Sequence, residues 1–165
     1  MRRCGALLTA AACALLASIG DASEPTNPIS APQQAYLLAC GGCHGIDGAS
    51  NGRRVPTLKG LVGYYLNIPQ GRAYLARLPN IAFADLDDAS LAALLNFVVF
   101  DIGGNSVPPQ AAPFAALEVG RLRSQPLTEV SLVGYREALV STLIRQYRAP
   151  PTLREYSEQQ YSSSQ

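Results

Sequence analysis

The sequence predicts an all-α fold, and three capped apolar patterns carry that prediction. Ser30 can cap a helix running from Ala31 to Cys40, with Pro32 tolerated in its first turn. Asp87 can cap a second helix from Asp88 to about Phe100, where Leu91, Leu94, Leu95, Val98 and Val99 repeat at helical spacing. Thr128 can cap a longer helix from Glu129 to Tyr147, with Leu132, Leu139, Leu143 and Tyr147 on one face and Arg136, Glu137, Arg145 and Arg148 towards solvent. A length of 165 residues, 48% hydrophobic and 15% charged, is the size and composition of one globular domain.

The first residues are expected to be removed. Arg2 and Arg3 precede an apolar run from Cys4 to Ile19, and small residues follow around Gly20, Ala22 and Ser23, the order of a secretory signal peptide. The run is shorter than the roughly 20 residues that span a bilayer, and no later segment is longer or as uniformly apolar. Residues 1–23 are therefore read as a cleaved signal, which places the mature chain in the periplasm. Cleavage takes the 13 Lys and Arg to 11 and the 12 Asp and Glu to 11, so the mature apoprotein is neutral. A neutral surface without a basic block lacks the phosphate-neutralising face that nucleic-acid binding needs.

Cleavage also removes Cys4 and Cys13, leaving Cys40 and Cys43. Cys40-Gly41-Gly42-Cys43-His44 has the C-x-x-C-H spacing of covalent haem c attachment: two thiols add to the two vinyl groups of one porphyrin, and the adjacent imidazole ligates its iron. Two other readings compete. A redox disulfide wants a helix start after the first thiol inside a βαβ unit, and a zinc site wants a fourth ligand. His44 is the only histidine and the mature chain has no third cysteine, so zinc would have to recruit a carboxylate. One covalent haem c is the cofactor expected, with His44 on the metal.

From this motif outward, roughly residues 30 to 100 resemble a class I cytochrome c domain. Tyr36-Leu37-Leu38-Ala39 is similar to the last turns of the family's N-terminal helix, and Gly45-Ile46-Asp47-Gly48 to the turn after its attachment motif. Val55-Pro56-Thr57-Leu58-Lys59-Gly60 resembles the family's P-x-L-x-G segment, and Leu86-Asp87-Asp88-Ala89-Ser90-Leu91 the opening of its C-terminal helix. The resemblance implies that the Pro56 carbonyl accepts a hydrogen bond from His44 and so fixes the imidazole's tautomer.

The chain departs from the family at the sixth iron ligand. The family's methionine has no counterpart, because Met1 is the only methionine and lies in the signal. Aligning Phe83 and Leu86 on the family's M-P-x-F-x-x-L run puts Asn80 at the methionine position. Asparagine is a poor iron ligand, but its amide can donate a hydrogen bond to a bound water or small ligand. An open or water-bound site, Tyr64, Tyr65, Tyr74, Lys59, Asn80 itself and a ligand from a partner protein all remain candidates. The stretch that should cover this side is Gly63–Leu66 and Gly71–Leu78, which read together as a short helix and loop because Gly71 and Pro79 bracket an apolar pattern at Ala73, Tyr74, Leu75 and Leu78.

The expected organisation is a signal over 1–23, a cytochrome c-like haem domain over 24–103, a C-terminal helical extension over 104–149 and a mobile tail over 150–165. The proline- and glycine-bearing stretch 101–113 reads as a loop, and Ala115–Ser124 as a short helix. Two functions follow. One is an exported mono-haem cytochrome, an electron carrier rather than an enzyme, passing single electrons to or from a periplasmic dehydrogenase or a membrane electron-transfer complex. The other is a haem protein whose open iron face binds a gaseous ligand or peroxide, as a sensor or weak peroxidase. The absence of a second histidine to move protons during O–O cleavage weighs against the peroxidase.

Overall fold

The sequence places helix-capping side chains where apolar periodicity begins, and the computed structural model, which describes residues 28–50 and 55–155, uses two of the three expected ones. Ser30 caps α1 (Ala31–Ala39), its Oγ accepting from the Gln33 amide at 3.4 Å. Asp87 caps α5 (Asp88–Asn96), its carboxylate accepting from the Ser90 amide at 2.7 Å. Between them lie α2 (Gly41–His44), a 3₁₀ segment over Val62–Asn67, α3 (Pro69–Arg77) and α4 (Pro79–Ala82). Among the described residues every regular element is helical and none is a strand. None of the helices is long and apolar enough to cross a membrane.

The long C-terminal helix starts later than expected. Ser131, not Thr128, caps α7 (Leu132–Tyr147), with the Gly134 amide donating to Ser131 Oγ at 3.0 Å. Both hydroxyls offer the same capping chemistry, and the two residues between them, Glu129 and Val130, stay outside the helix with Val130 fully exposed. Nor does 101–113 form a loop throughout. The α5 helix passes directly into a π-helical segment, Phe97–Ile102, which buries Val99 and Ile102 before Gly103 ends it.

The expected extension joins the same core as the preceding residues. Helix α6 (Ala116–Arg123) packs across α5 and α3, and Val119 is fully buried. Asn96 on α5 holds the entry to α6 from both sides: its Nδ2 donates to the Phe114 carbonyl at 3.0 Å and its Oδ1 accepts from the Phe114 amide at 2.7 Å. Arg72 on α3 donates to both Glu118 oxygens at 2.6 and 2.8 Å, and its guanidinium lies 4.0 Å from the centre of the Phe114 ring. Arg123 donates to the carbonyls of Ala82, Ala84 and Leu86, tying α6 to the turn before α5.

Two further expectations are corrected here. Arg136 does not face solvent: it is 4% exposed, on the same side of α7 as Leu139, Val140 and Leu143. The core also extends beyond position 149. A 3₁₀ turn at Pro151–Arg154 inserts Leu153, 2% exposed, into the core, and Arg136 holds that turn by donating to the Leu153 carbonyl at 2.7 Å. The signal, Arg53, Arg54 and the tail from 156 lie outside the described residues.

Candidate functional site

The Cys40–His44 motif is held by the elements on either side of it. Tyr36, fully buried on α1, donates its hydroxyl to the Gly45 carbonyl at 2.6 Å, fixing the chain where it leaves α2. Gly45 and Gly48 both take φ near +83°, a left-handed backbone that side chains disfavour. At Gly48 a Cβ would also run into the Ile102 side chain, so this turn is packed directly against the π-helical segment. The Gly48 carbonyl then accepts from the Leu58 and Lys59 amides at 2.8 and 3.1 Å, drawing the segment around Pro56 back beside the motif.

That fold-back brings His44 and Pro56 together. The His44 Nδ1 lies 2.9 Å from the Pro56 carbonyl oxygen. A carbonyl can only accept, so Nδ1 carries the proton and Nε2 keeps its lone pair for a ligand bond. Burial lowers the imidazole's affinity for a second proton, and the Pro56 bond only partly opposes this. The ring is therefore neutral near pH 7, the form in which imidazole binds a metal.

Cys40 and His44 line one cavity of about 260 Å³, together with Pro56 and Asn80. Its remaining walls are largely apolar and come from the 3₁₀ segment, α3, α5, the π-helical segment and α7, for example Val62, Leu75, Leu94, Val98 and Leu132. Both thiols are free: Cys40 is half-buried on the cavity wall and Cys43 exposed. Burial pushes the Cys40 thiol's pKa up, and the neighbouring Cys43 adds to the effect. Among the described residues no group of three or more His, Cys, Asp and Glu is placed to hold a metal ion.

Four of the five site residues named from sequence thus border one space, while Cys43, exposed and one helical turn from Cys40, does not line it. Asn80 is an exposed residue of α4 at the rim. Of the other candidates for a sixth ligand, Tyr65 and Tyr74 line the cavity, with their rings stacked at 5.4 Å. Lys59 instead pairs with Asp47 at the surface, at 2.7 Å. Arg136, which also lines the cavity, reads as a wet-face residue by its charge. Its spacing gave a signal, four residues after Leu132 and three before Leu139. No protein-family model, curated protein or solved structure matches this chain.

Proposed function

We propose that the chain is an exported mono-haem c-type cytochrome that carries single electrons to or from a dedicated periplasmic redox partner. The observation that carries this reading is the His44–Pro56 hydrogen bond at 2.9 Å, on the wall of an apolar cavity that Cys40 also lines. A structural histidine needs no neutral tautomer aimed at a cavity, and a redox disulfide needs no histidine beside it. The donor set fits a porphyrin: two free thiols at C-x-x-C spacing, one oriented imidazole and apolar walls.

Cys40 and Cys43 would hold the haem by thioether bonds, and His44 would ligate its iron. The bound haem would supply a one-electron Fe(III)/Fe(II) couple. The chain's own part is to orient His44 through Pro56, to exclude water with Leu75, Leu94 and Val98, and to fix the motif with Tyr36 and Gly48. A neutral mature surface gives little long-range steering, which favours one dedicated partner over many charged ones.

A second reading, binding of a small ligand at an open iron face, is favoured by the sequence's lack of a second histidine and of any methionine beyond Met1. Spectra of the exported protein, oxidised and reduced, before and after carbon monoxide, separate the two. A low-spin form indifferent to the gas supports the electron carrier; prompt binding to a high-spin form supports the ligand binder. Cys40→Ala and Cys43→Ala should each leave haem held by one thioether or lost, and normal haem content in both would refute the attachment site.

A further inference from the structure

A second space lies beside the cavity. Helix α1 packs on α5, while the single turn α4 packs on α3 and α6, and a groove of about 650 Å³ is left between α1 and α4 over a floor made by Leu91 and Leu94. The groove follows one face of α1, past Ala31, Ala35 and Leu38, which recur at helical spacing. Leu38 is 83% exposed, so this side of the groove meets solvent.

Four residues, Cys40, Asn80, Ile81 and Leu94, line the groove and the cavity alike. The partition between the two spaces is therefore a single layer of side chains. Leu94 is held in the core at 3% exposure, and Cys40 is tied to α1 by its amide, which donates to the Tyr36 carbonyl at 2.8 Å. Asn80 and Ile81 belong to α4, whose backbone is also fixed: the Ile81 and Ala82 amides donate to the Leu78 carbonyl at 2.8 and 2.7 Å, and Arg123 holds the Ala82 carbonyl at 2.9 Å. The Ile81 side chain is only partly buried, so a rotamer change there opens the partition without unfolding the turn.

The lining also restricts what can pass. Among the described residues that line the groove, Asp85 carries the only charge, and most of the others are apolar. An anion entering here would shed its hydration and meet a like charge, whereas a small uncharged molecule pays neither cost. We infer that the groove between α1 and α4 is the entrance by which a small uncharged ligand reaches the cavity, and that Ile81 is its gate. The inference rests on the small-ligand reading of the proposed function and supplies the path that reading requires.

A gate has its own kinetic signature. It changes entry and exit by the same factor and leaves affinity alone, whereas a residue that touches the bound ligand changes affinity. The test is flash photolysis of carbon monoxide on the reduced exported protein in wild type, Ile81→Ala and Ala35→Phe, with xenon exchange measured on the same three by saturation-transfer NMR. Ala35 lines the groove and not the cavity, so Ala35→Phe narrows the entrance and leaves the cavity wall intact; circular dichroism checks that both variants fold. Ile81→Ala should speed carbon monoxide association and dissociation together, several-fold, and Ala35→Phe should slow both, with the dissociation constant unchanged. Rates that stay the same in both variants, or a change confined to affinity, overturn the inference. A wild type indifferent to carbon monoxide refutes the open iron face, and xenon then decides the entrance by itself. Exchange that quickens in Ile81→Ala and slows in Ala35→Phe upholds it; exchange that is absent, or equal in all three, overturns it.

Discussion

Replacing Glu118 by Gln isolates the ion pair that anchors α6 to α3. In the wild type Arg72 donates to both Glu118 oxygens, at 2.6 and 2.8 Å, with the two side chains 21% and 25% exposed. Hydrogen bonds to charged groups are worth about 1.5–3 kcal/mol. Solvent screening at this partial exposure reduces that, so a loss of about 1–2 kcal/mol at pH 7 is expected. Arg72 keeps the Ala112 and Pro113 carbonyls and the Phe114 ring, so the variant should fold. The Arg72 hydrogen bonds hold the Glu118 pKa below its ordinary value of 4.5. A depressed carboxylate contributes stability that is full above the unfolded-state pKa and lost as pH falls through the folded-state one. The gap between wild type and variant should therefore be widest near neutrality and narrow only as pH falls below the ordinary carboxylate value of 4.5. Urea titrations from pH 3 to 7 measure it. A gap that is absent at pH 7, or that persists unchanged at pH 3, would refute the reasoning.

Other perturbations probe the frame around the site. Asn96→Ala strands both the amide and the carbonyl of buried Phe114 and should cost about 2–4 kcal/mol in urea unfolding. Gly48→Ala combines a positive φ with a clash at Ile102 and should lower the melting temperature and haem content together. Asn80→Met should convert the spectrum to a low-spin form of higher potential if residue 80 faces the iron; an unchanged spectrum removes it from that face.

Local chemistry was legible in this sequence, and long-range burial was legible only in part. Ser30 and Asp87 announced α1 and α5 because a capping oxygen acts within three residues. Residues 44 and 56 meet because the Gly48 carbonyl draws the chain back; only the resemblance, not periodicity, foresaw that encounter. The charge of Arg136 points to solvent, whereas its helical spacing puts it among Leu132 and Leu139, and the spacing wins. The π-helical register of Phe97–Ile102 and the insertion of Leu153 depend on tertiary packing that no short window of sequence contains.

In the proposed function Cys40 and Cys43 carry one covalent haem whose iron His44 ligates. Intact mass spectrometry of the exported protein, after denaturation and acid extraction, tests it most directly, with a pyridine haemochrome spectrum of the same sample. A chain heavier by one haem and a c-type haemochrome are the expected results. A chain at its bare polypeptide mass, with both cysteines titrating as thiols or joined as a disulfide, would contradict it.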